Sequence, residues 1–333
     1  MIIVKTKLIF FSLIIFLSFF LLSNPLFALT VMSPILELEI EPGKSQSGFV
    51  KLYNETNSDL ILTSSLESFK AGDETGQPIF LAPEQKDQFL NWFIDLPGEI
   101  ILRPQQVILA PFIVEVPANA APGGYYAAIF WQMASGQAQN GSGAGVSGRI
   151  GTLVFLKVIG EVKESLTLTE FQIAPSRKYF FSFPLNFIAK INNQGNIHLA
   201  PQGQITLTGW LGRKIDLEVN SEKRFILPDS SRRFDVVWGS RAKKNFWQDN
   251  LAELYLEFKN LPFGRYQANF NLSFGSQNQT LIGNLSFWFI PWRLILVLFL
   301  FIIFLVMFGR INRKIKKLKN KLEKLENEKK QSN

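Results

Sequence analysis

The sequence predicts an all-β region folded as two tandem β-sandwiches, preceded by an N-terminal export signal and followed by one C-terminal transmembrane helix. Three observations predict it. Between positions 29 and 286 the apolar residues mostly alternate with polar ones, in short runs punctuated by Pro, Gly and Asn. Both ends carry a long apolar stretch flanked by Lys or Arg. The net charge of +8 sits almost wholly at those ends.

Residues 1–28 have the three parts of a secretory signal peptide. Lys5 and Lys7 open it, Leu8 to Leu22 is apolar except for Ser12 and Ser18, and cleavage is expected after Ala28. An uncleaved anchor is the alternative, and either form exports the region C-terminal to it.

The first sandwich is expected over 29–165, with strands at 36–40, 49–53, 60–66, 100–102, 108–116, 125–132 and 150–162. Only 84–92 looks briefly helical. The second is expected over 166–286, with strands at 166–173, 183–191, 204–210, 214–219, 233–238 and 252–258 and a final hairpin. That hairpin has the clearest pattern: Tyr266, Ala268, Phe270, Leu272 and Phe274 share one face, with a polar residue at every position between. About seven strands in each half suit the immunoglobulin-like type.

The halves echo each other. A strand ends in Asn54 in one and Asn193 in the other, and a Pro-Gly-Tyr cluster opens a later strand in each. In the first half this is Pro122-Gly-Gly-Tyr125, in the second Pro262-Phe-Gly-Arg-Tyr266. These positions, together with Pro42, Gly43, Gly123, Gly124, Gly195 and Gly264, read as turn residues that a scaffold needs without any ligand.

The membrane span is expected over 287–309. Leu294 to Phe308 is uninterrupted but short, and including 287–292 brings it to bilayer length. Trp288 and Trp292 are expected at the outer interface, Arg293 snorkelling to the headgroups, and Arg310 opening the cytosolic side. The tail, 310–333, holds ten Lys/Arg against three Glu. With Lys5 and Lys7 it leaves residues 29–309 at a net of −1, so the basic balance reports topology and no nucleic-acid partner. Ile311, Ile315, Leu318, Leu322 and Leu325 form a two-heptad seam. It reads either as a homo-oligomer contact or as a solvated tail drawn to anionic membrane lipid.

Catalytic chemistry finds little footing. There is no Cys and one His, His198, so disulfides, thiolate nucleophiles and paired-histidine metal sites are absent. Ser240-Arg-Ala-Lys243 lacks its partner motifs. Gly143-Ala-Gly-Val-Ser-Gly148 precedes a strand, so no helix N-terminus awaits a phosphate. No cofactor and no metal are expected, and the chain reads as non-catalytic. The candidates for exposed aromatics on which a glycan would stack are Trp92, Tyr125, Tyr126 and Trp131, although both faces of the strand at 125–132 are apolar and core use competes.

Ser33-Pro-Ile-Leu-Glu-Leu-Glu-Ile-Glu-Pro-Gly43, Gly48-Phe-Val-Lys-Leu-Tyr-Asn-Glu-Thr56, Phe112-Ile-Val-Glu-Val-Pro117, Pro122-Gly-Gly-Tyr-Tyr126 and Gly148-Arg-Ile-Gly-Thr-Leu-Val154 carry a resemblance. Together with the signal, the span and the basic tail, they resemble the WxL-interacting surface proteins of Gram-positive-type bacteria, best over 31–165. The resemblance implies an immunoglobulin-like peptidoglycan-binding domain, a second such domain and a membrane anchor. The opening strand and the segment from Pro42 to Asn54 are also similar to the first domain of periplasmic pilus chaperones, in which an edge strand serves a client. The expected function is therefore a membrane-anchored scaffold engaging peptidoglycan or surface proteins. The alternative is an assembly chaperone or signalling component with a protein client.

Overall fold

A computed structural model describes residues 29–82, 87–133, 148–210, 212–239, 246–260 and 262–331. The expected signal peptide, nearly all of the connection at 135–148 and the Ser240 to Lys243 motif lie outside the described residues. The chain divides into two compact units, Met1–Lys70 with Pro78–Val162, and Ala71–Gln77 with Lys163–Asn333.

The first unit contains β1 (Leu29–Val31), β2 (Ile35–Ile40), β3 (Ser45–Asn54), β4 (Leu60–Ala71) and β5 (Pro78–Phe80). A 3-10 turn (Gln88–Trp92) leads into β6 (Phe93–Ile94), β7 (Glu99–Leu102), β8 (Val107–Glu115), β9 (Gly123–Met133) and β10 (Arg149–Val158). One sheet has the order β1-β3-β8-β6. The other runs β2-β10-β9-β4-β5, with β7 also paired to β4. Between them lies a core of Val50, Leu52, Phe112, Val114, Leu62, Ile129, Trp131, Val154 and Leu156. Alternation builds this core, since each strand sends every second side chain inward.

The sequence pattern implied antiparallel sheets throughout, and in the first unit one strand departs from that. The chain passes from the first sheet at β1 to the second at β2, across Ser33-Pro34. There β2 pairs with β10 in parallel, Ile35 opposite Leu153 and Ile40 opposite Val158. A proline has no N–H to donate, so the switch occurs where the ladder is already broken. Glu37 and Glu39 stand exposed on this edge strand, with Glu39 paired to Lys157 at 3.2 Å, which guards the edge against further strand pairing.

The second unit contains β11 (Leu166–Ala174), β12 (Tyr179–Phe180), β13 (Leu185–Asn193), β14 (Gln202–Gly209), β15 (Lys214–Val219) and β16 (Ser231–Trp238). Helix α1 (Phe246–Asn260), β17 (Gly264–Phe274), β18 (Gln279–Phe289) and helix α2 (Trp292–Gln331) complete it. Its sheets are β11-β13-β16 and β12-β18-β17-β14-β15, with β12 and β18 paired in parallel. β17 alternates buried and exposed along its whole length, as its sequence predicts. Trp238 anchors the core, its ring 4.9 Å from Phe183, 5.3 Å from Tyr266 and 5.9 Å from Phe289. The chain thus has the two tandem immunoglobulin-like sandwiches and the long apolar C-terminal helix that its pattern predicts.

Two local expectations are corrected. Residues 252–258, read as a strand, belong to helix α1. Leu-Ala-Glu-Leu-Tyr-Leu-Glu-Phe satisfies a period of two and a period near four alike. The helix sets Glu253 and Glu257 one turn apart, close enough for both to reach Arg293, whereas a strand would hold them about 13 Å from each other. The helix that carries the expected span starts at Trp292 and leaves 287–291 outside it. Phe287 and Phe289 are fully buried in the sandwich core as the last residues of β18, so their apolar character serves packing.

Candidate functional site

His198, the one histidine, lies edge-on to Phe225, ring centroids 5.0 Å apart, half-buried in a loop. Among the described residues no group of three or more His, Asp or Glu could hold a metal ion. A cavity of about 190 Å³ is lined by Glu218, Asn220, Glu222, Arg224 and Asp235. Three of its four charged side chains are paired: Arg224 grips Glu222 at 2.5 Å, and Asp235 accepts from Asn186 at 2.9 Å and from Arg233 at 2.9 Å. Satisfied ion pairs in open water do little beyond local stabilisation.

The four aromatic candidates separate. Trp92 and Tyr125 come together, rings 4.8 Å apart, with Phe89 at 6.0 and 5.3 Å from them. Both are half-buried. The Tyr125 hydroxyl donates to the Ala121 carbonyl at 2.9 Å, and burial pushes its phenol pKa up. Trp131 is fully buried in the sandwich core, with no face left for a ligand. Tyr126 is buried on the opposite side of the same sheet, among Phe69 and Phe155.

That second aromatic cluster explains two glycines. A Cβ on Gly124 would stand 2.2 Å from the Tyr126 hydroxyl, and one on Gly151 would stand 2.7 Å from the Phe130 ring. Their absence lets both rings lie flat on the sheet. Arg149 then covers Phe130 at 4.0 Å and pairs with Glu67 at 2.5 Å.

The turn residues are structural in detail. Asn54 and Asn193 are both fully buried. The Asn54 amide donates to the carbonyls of Ser58, Leu102 and Arg103 at 2.8, 3.1 and 3.0 Å, and its oxygen accepts from the Thr56 N–H at 2.9 Å. The Asn193 amide donates to the carbonyls of Ile197 and Ile226, both at 2.8 Å, and its oxygen accepts from the Gly195 N–H at 2.8 Å. Each asparagine binds the N–H two residues on, the carbonyl four residues on and a carbonyl remote in sequence, an Asx turn welded to a second loop. Sharing this device supports a common plan for the two sandwiches. Pro42 precedes Gly43, whose φ of 77° suits glycine and whose N–H donates to Val116. Pro122 packs where a Cβ on Gly160 would be, Gly123 is buried at the start of β9, and Gly264 leaves room for Trp210.

The face that sequence reading missed is on the first unit. In the β1-β3-β8-β6 sheet the outward residues of β8 are Val107, Leu109, Pro111 and Ile113, opposite Tyr53, Lys51, Phe49 and Ser47 of β3. Ile94 of β6 continues the row opposite Ile113. Phe49 and Leu109 are each 54% exposed, and Val107, Pro111 and Ile94 are exposed as well. The outward side of a half-buried antiparallel sheet is ordinarily polar, and here Lys51 is the one charge in the middle of the row. The signal was present, because Val-Ile-Leu-Ala-Pro-Phe-Ile-Val is apolar at both parities.

At the other end of the chain, Trp288 projects outward from β18 and Trp292 begins α2, both exposed. Arg293, expected at the headgroups, is paired within the protein. Its guanidinium lies 2.7 Å from Glu253 and 3.2 Å from Glu257, and the Leu294 N–H donates to Glu257 at 3.1 Å. A carboxylate at a helix N-terminus and a buried ion pair satisfy one another. Arg310, Ile311, Ile315 and Leu318 are exposed, and the side chains of Leu322 and Leu325 lie outside the described residues. Helix α2 is the one described helix long and apolar enough to cross a membrane, with a mean hydropathy of 3.0 over its most apolar window.

No family model matches the chain, and no curated protein sequence matches it. Solved structures similar to it include the class 5 fimbriae chaperone CfaA, 11% identical over 77% of this chain and 98% of that one, with a TM-score of 0.39. The E. coli chaperone DraB is 15% identical over 80% of this chain and 97% of its own, with a TM-score of 0.35. The Salmonella enterica SafA pilin in complex with the SafB chaperone matches at 11% identity, 79% and 99% coverage and a TM-score of 0.35. At these values the likeness says nothing of what this chain binds.

Proposed function

We propose that this chain is a non-catalytic, membrane-anchored binding protein of the cell envelope whose first sandwich engages another protein. The observation that carries the reading is the outward apolar face of Phe49, Val107, Leu109, Pro111, Ile113 and Ile94. Contiguous apolar surface of this kind marks an interaction site. A glycan chain needs an array of hydrogen-bonding side chains beside its stacking aromatics, and the middle of this face is mostly aliphatic, with Ser47, Lys51 and Tyr53 its polar members. A protein's own apolar side chains suit it better than peptidoglycan does, which favours a surface-protein or client partner. Addition of a client strand to a sheet edge is less favoured, because β1, β5 and β6 are three residues long or fewer and β2 carries Glu37 and Glu39.

Anchoring is inferred from α2, whose apolar stretch is succeeded by exposed Arg310, Arg313, Lys314, Lys316, Lys317 and Lys319. The positive-inside rule puts this flank in the cytosol and both sandwiches outside. The envelope location is also what the WxL-interacting resemblance implies.

The test is a photo-crosslinking residue at Leu109 in the membrane-bound chain, with one at Glu218 as reference. Adducts are identified by mass spectrometry, and the purified partner is titrated against wild type, Phe49→Ser and Leu109→Lys. We expect a discrete protein partner whose affinity falls at least about tenfold in both variants. Binding confined to sedimentation with peptidoglycan sacculi, and unchanged in the variants, would overturn the proposal.

A further inference from the structure

We infer that helix α1 is an interfacial helix: it lies in the outer interfacial layer of the bilayer that α2 crosses, with Leu251, Tyr255 and Phe258 turned toward the acyl boundary. The inference rests on the anchored reading above and adds a second membrane contact to it.

Leu251, Tyr255 and Phe258 follow the spacing of one helical face, and they are 65%, 62% and 68% exposed. Three large apolar side chains on a single stripe of a short helix are costly in water. The side of the helix away from that stripe carries Glu253 and Glu257, both bound to Arg293 in the first turn of α2. Glu257 is fully buried there and also accepts from the Leu294 N–H. The C-terminal end of α1 is held too, as Arg213 donates to the carbonyls of Lys259 and Asn260 at 3.2 and 2.9 Å. Helix α1 is thereby fixed within one turn of the start of the membrane span.

Three further observations identify lipid as the cover of the stripe. The uninterrupted apolar run of α2, from Leu294 to Phe308, spans about 22 Å at 1.5 Å per residue, short of the ~30 Å hydrocarbon layer. A short span is accommodated by local thinning of the bilayer, which brings the structure beside it close to the interface. Exposed Trp210, Phe263, Trp288 and Trp292 lie in the same unit, with Trp210 and Phe263 in ring contact at 6.1 Å. Such amphipathic rings favour the headgroup region. Lys259 stands exposed beside the stripe, placed to reach lipid phosphate while its stem stays apolar.

The chain has no cysteine, so single spin labels can be placed without background. Full-length protein in phosphatidylcholine–phosphatidylglycerol vesicles is labelled at Leu251→Cys, Tyr255→Cys or Phe258→Cys. Phe299→Cys in the span and Gln277→Cys in the β17–β18 turn are the references. Collision with oxygen, which concentrates in lipid, is compared with collision with a water-soluble nickel chelate. The three stripe labels are expected to favour oxygen, at a depth between the two references. Stripe labels that match Gln277, or that are shielded from both agents as a protein partner would shield them, overturn the inference while a lipid-exposed Phe299 keeps the anchored reading. A Phe299 label that favours the nickel chelate overturns the anchored reading and this inference with it.

Discussion

Asn193→Ala should loosen the second sandwich at one corner, by an amount that the geometry sets. The side chain makes three buried hydrogen bonds at 2.8 Å, two as donor to the carbonyls of Ile197 and Ile226 and one as acceptor from the Gly195 N–H. Each such bond contributes about 1 kcal/mol net, and a buried backbone group left unpaired costs about 1–3 kcal/mol. Some of the three will find water once the carboxamide is gone, so a loss of about 2–4 kcal/mol is expected, a large share of the ~5–15 kcal/mol that holds an ordinary domain. Asn193→Asp should cost more at neutral pH, because it sets a carboxylate against two carbonyl oxygens. With two sandwiches in one chain a single melting point is ill-defined. Hydrogen exchange resolved by peptide is therefore the assay. Segments covering 185–199 and 226–231 should open at least about thirtyfold more often, while 45–54 in the first unit stays unchanged. Asn54→Ala should give the mirror result. A loss under about 0.5 kcal/mol, or exchange that quickens equally in both units, would refute the reasoning that these asparagines are local welds.

Close approaches and titration set the other expectations. Gly195→Ala should destabilise strongly, because its Cβ would stand 2.3 Å from the Lys163 carbonyl oxygen, whereas Gly98→Ala meets nothing within 4 Å and should be near neutral; hydrogen exchange of the segments around each site compares them. Burial raises the phenol pKa of Tyr125 and of Tyr266 above 10.0. The folded chain therefore holds both protons more tightly than the unfolded chain. Their contribution is fully present below pH ~10 and is lost as pH rises through the raised values. Tyr125→Phe and Tyr266→Phe should each flatten the alkaline fall in stability, measured by circular dichroism from pH 8 to 12.

Much of the fold was legible because its causes are local. A strand that alternates from Tyr266 to Phe274 has one buried face wherever it packs, and β17 shows that alternation without a break. Asn54 and Asn193 could be paired by eye because an Asx turn is written within five residues. Local pattern fails where one string satisfies two periods or serves two faces. Residues 252–258 fit strand and helix equally until Arg293, some forty positions away, binds both glutamates at once, which only the helical spacing allows. Phe287 and Phe289 look like membrane until the sandwich core claims them. The candidate faces diverge for the same reason. Tyr126 and Trp131 lie inside, and the apolar row of β8 lies outside, because sheet stacking decides which parity of a two-faced strand meets water.

The sequence by itself determined the all-β character, the doubled plan, the long apolar C-terminal helix with its cationic flank and the absence of thiol chemistry. Periodicity, composition and charge order are properties of the chain alone. Only the tertiary structure decided which apolar residues remain exposed, where α1 is pinned and what Arg293 does, because burial and ion pairing depend on partners brought together from distant positions.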